Sequence, residues 1–268
     1  VFGGSNVQVS GPTGAMVVVL APIVASHGVG AVALVSLLAG VIVLVAGVLR
    51  LGRAVSFIPW PVIEGFTFGI AVIIFLQQVP SLTRADATGA AHTNVVVTAI
   101  DALLHADGGY LLWALGAVAV VAASMLLLPR LHPAIPGSLV GVILVTLLAL
   151  WLPTPLAVIG ELPNSLPPPS VPHIDAALVS QLALPALTVA ALAAVESLLA
   201  ARVAASMAAT GPYDPDRELV GQGLASVAAG LFGGMPATGA IARTAVSVRA
   251  GARTRAAAVT HALVLLAV

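Results

Sequence analysis

A 268-residue chain in which only 7% of residues are charged cannot clothe a water-facing surface, because soluble domains use roughly 25% charged residues for that purpose. Hydrophobic residues reach 60%, and the mean hydropathy of +1.12 excludes an ordinary soluble fold. Most of the exterior must face hydrocarbon. The charges that remain are balanced, with ten Arg and no Lys against ten Asp and Glu. With no basic arm and no acidic tail, nothing points to a nucleic-acid partner. Cysteine is absent, which excludes disulfides, thiol catalysis and thiolate metal sites.

The apolar residues fall into helical stretches separated by polar punctuation. The expected spans are Pro12–His27, Val29–Leu49, Pro61–Val79, Tyr110–Leu128, Pro136–Leu152, Val179–Met207, Leu219–Phe232, Thr238–Val248 and Ala256 onward. The first and the eighth are short. Thr93–Ala106, whose apolar positions recur at helical spacing around Asp101 and His105, is expected along the membrane interface. Leu152–His173 is so rich in proline that it reads as an extended, water-facing loop. If Arg50 and Arg53 are cytoplasmic, the span count puts Arg130, Arg202, Arg217, Arg249, Arg253 and Arg255 on the same side. Arg84 falls opposite and Arg243 inside a span, the asymmetry that the positive-inside rule predicts. Val1 is no start residue, and Ala256–Val268 supplies 13 apolar residues of the ~20 that a crossing needs. The sequence therefore reads as a piece of a longer membrane protein.

Within this series one pattern occurs twice. Gly11-Pro12-Thr13-Gly14-Ala15 opens the first short span, and Pro236-Ala237-Thr238-Gly239-Ala240 opens the eighth. Extended or breaking residues precede each, Val7–Ser10 in one case and Gly233–Met235 in the other. Both helices are too short to cross, so each is expected to start near the midplane, the first running outward and the second inward. Two interrupted helices of opposite sense with related starts are the mark of an inverted-repeat transporter. Their N-termini leave backbone N–H groups without intrahelical partners and present partial positive charge. Facing one another, they make an anion site with no buried Lys. Glycine lets a ligand approach the backbone, and Thr13 and Thr238 add hydroxyl donors. The blander alternative is a pair of kinked membrane helices; the shared Thr-Gly-Ala and the opposite sense favour a site.

Two charges fall inside spans. Glu196 lies near the centre of the sixth, where an ionised carboxylate costs about 2.5 kcal/mol or more on insertion scales. It is expected to face the protein interior or a cavity and to carry a proton. Arg243, about one turn beyond Thr238, is the available counter-charge and a candidate anion ligand; a Glu196–Arg243 pair that only locks two helices is the structural alternative. Glu64 sits at the cytoplasmic edge of its span, and Trp60, Trp113 and Trp151 stand near span ends, as interfacial anchors do. Asp214, Asp216 and Glu218 read as a solvated loop and helix start. The six His show no metal-binding spacing, so no metal and no other cofactor is expected. One central carboxylate without a nucleophile leaves no enzymatic constellation.

These residues resemble the SulP family of anion permeases. The resemblance rests on FGGSNVQVSGPTGAM, LRLGRAVSFIPWPVIEGFTFGIAV, AVESLLAARVAASM and, above all, RELVGQGLASVAAGLFGGMPATGAIARTA, and it covers nearly the whole chain. It implies an all-α polytopic membrane protein, part of a seven-plus-seven inverted repeat of the uracil-transporter type. Substrate would lie between the third and tenth family helices, which correspond to the two short spans. Together with the residue reading, it assigns substrate contacts to Thr13, Gly14, Ala237, Thr238, Gly239 and Arg243, and ion coupling to Glu196. It also implies a core part over 1–52 and 179–268, a gate part over 53–152 and a Pro-rich extracellular loop over 153–178. On this alignment the family's first helix, its last three helices and the STAS domain that relatives carry fall outside the sequence. Asn6 stands where many members have a basic residue. Ala200 stands where some sodium-coupled relatives have a hydroxyl, which leans toward protons.

The expected function is secondary active transport of a small anion of the sulfate, bicarbonate or dicarboxylate class. The mechanism would be alternating access in the cell membrane, a bacterial inner membrane, with a proton coupled through Glu196. An anion channel or an uncoupled exchanger of the same fold is the alternative. The expected partners are the small anion, the proton and the lipid bilayer, and a homodimer of the longer protein is left open.

Overall fold

A computed structural model describes residues 2–57, 59–84, 94–132, 135–157, 160, 165–172, 174–207 and 211–267. The chain forms two compact units, Val1–Phe66 with Asn164–Val268, and Thr67–Pro163. In chain order the elements are β1 (Ser10–Gly11), α1 (Gly14–His27), α2 (Gly30–Val48), a 3₁₀ segment (Leu51–Phe57) and α3 (Trp60–Thr83). There follow α4 (Val95–Leu104), α5 (Gly108–Leu131), α6 (Gly137–Trp151), α7 (Ala176–Met207), α8 (Pro215–Leu231), β2 (Thr238–Gly239), α9 (Ile241–Arg249) and α10 (Ala256–Ala267). The fold is all-α, with a two-residue antiparallel ladder as its one sheet among the described residues. By length and composition α2, α5 and α7 could each cross a membrane. Each of the nine expected spans overlaps one of the helices α1–α3 and α5–α10.

The first unit is built on close helix contact. In α2, Gly40 and Gly47 are seven residues apart, and so are Gly223 and Gly230 in α8. A Cβ on Gly40 would stand 2.6 Å from the Val227 amide nitrogen, and one on Gly223 would stand 2.5 Å from that of Leu44. Gly47 and Gly230 face Val220 and Leu37 in the same way. Small residues at helical repeat let two backbones approach where lipid gives no hydrophobic drive for association. On α7, Leu182, Ala186, Val189, Ala193, Ala200 and Ala204 form one buried stripe of mostly small side chains, with the three-and-four spacing that places residues on one helix face.

Several starts differ from expectation by a few residues, and two of these have a clear cause. α8 opens at Pro215 rather than Leu219, because the Asp214 carboxylate caps it by accepting from the amides of Asp216 and Arg217. This region was expected to be solvated, yet Glu218 is 2% exposed and Asp216 9%. Glu218 accepts the amides of Gly4 and Ser5 at 2.8 and 3.0 Å, and Asp216 pairs with Arg53 at 3.2 Å. Each buried carboxylate has partners, as burial of charge demands. The second difference is α9, which begins at Ile241 rather than Thr238, because Thr238 and Gly239 are taken up by the ladder.

In the second unit Asn94 caps α4 and Asp107 caps α5, each side chain accepting an amide at 2.9 Å. α6 packs on α5 through Gly137 and Gly141, whose added Cβ atoms would stand 2.7 Å from Ser124 O and 3.0 Å from Val121 Cα. The Arg84 guanidinium lies 5.6 Å from the centre of the Tyr110 ring, within the range of a cation–π contact. A cavity of about 520 Å³ in this unit is lined mainly by apolar residues such as Leu112, Trp113, Val120 and Leu148, with no charged group in its wall.

Residues 152–157 and 165–172 of the Pro-rich segment form neither helix nor strand. His173 at its end, and the side chain of Trp60, lie outside the described residues. Trp151 and Glu64 are exposed.

Candidate anion-binding site

The site begins with the ladder. Ser10 faces Gly239 and Gly11 faces Thr238 in antiparallel register, and the Ala240 amide donates to Val9 O at 2.9 Å. Pairing these strands sets the starts of α1 and α9 immediately beyond either side of a four-residue sheet. Thr13 caps α1, its Oγ1 accepting the Met16 amide at 3.4 Å. The Thr238 hydroxyl, fully buried, lies 3.4 Å from that of Thr13. Residues 225 positions apart in sequence thus meet at one point.

Glu196 stands at that point. Thr13 Oγ1 donates to Glu196 Oε2 at 2.9 Å, and the Thr238 hydroxyl is linked to the carboxylate through Thr13, to whose Oγ1 it donates. The neighbouring residue on α7, Ser197, accepts the Gly239 amide at 3.0 Å. A single turn of α7 therefore touches both β2 and the cap of α1. From α8, the Ser226 hydroxyl accepts the Ala237 amide at 3.1 Å and lies 3.3 Å from Ala237 O. Thr244 closes the arrangement by accepting the Val9 amide at 3.0 Å.

Two of the expected site residues have partners within the protein. The amides of Ala237 and Gly239, read as anion contacts, donate to Ser226 and Ser197, just before and within β2. The unpaired first-turn amides expected of a half-helix start fall instead to α1, from Gly14, and to α9, from Ile241. Among the described residues Arg243 and Glu196 do not form an ion pair. The Arg243 guanidinium donates to Pro12 O, and a Cβ on Gly11 would stand 2.9 Å from its Nη1. Its charge lies over the Gly11–Pro12 approach to α1, while the carboxylate is satisfied by hydroxyls.

Ser197, Ser226 and Thr244 were not singled out from the sequence. The available signal was weak: small polar residues within apolar or small-residue helices, one of them directly after the central acid. Their role is testable through stability. Replacing Ser197 by Ala leaves the buried Gly239 amide without its acceptor, which costs about 1–3 kcal/mol, so the thermal midpoint in detergent is expected to fall. Replacing the exposed Ser180, which bonds only within its own helix, should leave the midpoint unchanged. Equal midpoints for both variants would show that Ser197 does not anchor the ladder.

The arrangement offers one carboxylate, one guanidinium, two hydroxyls and two helix N-termini within two short segments. Comparison with known proteins is consistent with that chemistry. The description Sulfate permease family matches residues 1–268. YvdB of Bacillus subtilis (strain 168) is 36% identical over 275 residues, spanning 100% of this chain and 51% of YvdB. Bicarbonate transporter BicA of Picosynechococcus sp. is 30% identical over 280 residues, spanning 100% of this chain and 49% of BicA. The solved transmembrane domain of a cyanobacterial bicarbonate transporter BicA superposes with a TM-score of 0.83 at 30% identity, covering 99% of this chain and 70% of that one. The chain thus spans about half the length of the curated relatives it matches.

Proposed function

The chain belongs to the sulfate permease family, and we propose that it is the part of a multi-pass membrane transporter that binds a small oxyanion, sulfate or bicarbonate, and moves it with a proton by alternating access. In this reading residues 1–52 and 179–268 form the transport part, 53–152 the gate part, and α1 and α9 are the matched half-helices of an inverted repeat. The membrane is the cell membrane of a bacterium.

The observation that carries the proposal is the hydrogen-bonded chain in which the Thr238 hydroxyl donates to Thr13 and the Thr13 hydroxyl donates to the Glu196 carboxylate. A hydroxyl has one proton to give. While Glu196 is ionised, it holds the Thr13 proton, Thr13 in turn holds that of Thr238, and the carboxylate charge repels an incoming anion. Once the carboxyl is protonated the repulsion ends, and the hydroxyls are free to donate to an anion seated at the first turns of α1 and α9. Arg243, over Gly11 and Pro12, adds positive charge at the same place. Anion and proton then bind together or not at all. The site recognises negative charge and small size through donors, which suits sulfate and bicarbonate alike.

The test uses the whole protein in liposomes and counterflow of labelled sulfate and labelled bicarbonate. Replacing Arg243 by Ala removes a charged donor worth about 1.5–3 kcal/mol, so the apparent affinity for the transported anion should weaken about tenfold or more. An unaltered affinity would remove Arg243 from the site. A steady current with no saturable counterflow would show a pore in place of a carrier.

A further inference from the structure

Beside β1, the first unit has a partly open cavity with several polar groups in a largely apolar wall, which the anion site does not use. Its volume is about 350 Å³, and its walls include Gln8, Ser10, Glu218, Gln222 and Arg255, with Ala225 among the apolar residues. Gln8 is 8% exposed and Gln222 3%. Three of their buried side-chain atoms have no hydrogen-bond partner: Gln8 Nε2, Gln8 Oε1 and Gln222 Oε1. The other wall groups are engaged. Gln222 Nε2 donates to Ser10 Oγ and to Glu218 Oε1, Glu218 Oε2 takes two backbone amides, and Arg255 donates to Asn6 Oδ1 and Gly3 O.

The chemistry of the unsatisfied atoms selects the occupant. Two are acceptors and one is an amide nitrogen with protons to give, so the occupant must both donate and accept. The carboxylate of Glu218 and the guanidinium of Arg255 line the same space, so neither an anion nor a cation is favoured by net charge. A buried amide left without partners costs about 1–3 kcal/mol. A space far larger than the ~30 Å³ share of one liquid water, with several unsatisfied polar atoms in its wall, holds solvent, whereas cavities that stay dry have no such partners.

We propose that this cavity is a hydrated chamber, a binding site for a small cluster of water that brings solvent to the rear of the β1–β2 ladder. The Gln8 amide packs against Gly239, beside Ser197 and Ala200. The cluster therefore ends one residue from the turn of α7 that holds Glu196. Ordered water here completes the hydrogen bonding of both glutamines and fixes the segment that leads into α1. The inference stands apart from the transport reading, because it needs only that unit 1 folds as described.

The chain has no cysteine, so an introduced thiol reports its own surroundings. In the whole protein, cysteine-free and held in nanodiscs, Ala225→Cys is expected to react with a small charged methanethiosulfonate faster than Leu265→Cys on the exposed apolar face of α10. Ionisation of the thiol requires water, so reaction follows hydration. Adding Gln222→Leu removes a polar wall group and should lower the rate at Ala225→Cys toward that of Leu265→Cys. The proposal fails if Ala225→Cys, in protein that elutes as a single species, reacts no faster than Leu265→Cys. It fails equally if Gln222→Leu leaves the rate unchanged.

Discussion

Replacing Glu196 by Gln is expected to abolish uptake driven by a pH gradient while leaving counterflow of preloaded anion in place. Glutamine keeps the size of the side chain and its capacity to accept from Thr13 at the position of Oε2, so the ladder should persist. The amide cannot exchange a proton, and it removes the charge that repels the anion. In liposomes with an imposed gradient, uptake should fall to that of protein-free vesicles. Glu196→Asp retains a titratable group one methylene further from the hydroxyls and should keep driven uptake at a reduced rate. If the Gln variant shows unchanged driven uptake, the coupling role of Glu196 is lost, while the anion site at α1 and α9 still stands or falls with Arg243→Ala.

The second large effect is structural. Gly223→Ala puts a methyl group 2.5 Å from the amide nitrogen of Leu44 and 2.7 Å from its Cα, deep in α2. The atoms it meets are backbone, so no side-chain rotation relieves the clash, and the two helices must move apart. Overpacking of this kind typically costs 1–3 kcal/mol. Here the strain would spread, because Gly40, Gly47 and Gly230 make equally close approaches along the same crossing. A lowered thermal midpoint, or loss of a monodisperse peak on gel filtration, is the expected result. Gly69→Ala on α3 is the matched control, since an added Cβ there meets nothing within 4 Å. It should be neutral or gain up to about 1 kcal/mol from helix propensity. Equal stability of the two variants would show that contact between α2 and α8 is looser than the structure has it.

The contrast between these two glycines marks how far residue patterns carry. Each expected span overlaps a helix because hydropathy and helix length are local properties, readable over twenty residues at a time. The break before each short helix was legible for the same reason, as Gly-Pro and Gly-Gly-Met-Pro interrupt a helical pattern wherever they occur. The seven-residue spacing of Gly40 with Gly47 and of Gly223 with Gly230 was also present to be read. What distinguishes Gly223 from Gly69 is the neighbour, and composition does not name neighbours.

The candidate site divides along the same line. Thr13, Thr238 and Glu196 were identifiable as polar residues at helix starts and in mid-span, where their cost demands a reason. The partner of Glu196 was not. Charge complementarity suggested Arg243, but the carboxylate takes the Thr13 hydroxyl, with that of Thr238 behind it, and the guanidinium turns toward Pro12. Pairing of Gly11 with Thr238 explains why α9 starts three residues late, and the Ala237 and Gly239 amides are committed to Ser226 and Ser197.

From the amino acids alone came the membrane-embedded helical class, the order of the helices and the two matched interruptions, all set by burial cost and backbone geometry within short windows. Only the tertiary structure decided which amides remain for a ligand, which groups satisfy the central acid, and where the cavity beside β1 lies. Those outcomes depend on hydrogen bonds between residues 11 to 235 positions apart, and such bonds are selected by the packing of α2, α7 and α8 rather than by any local preference.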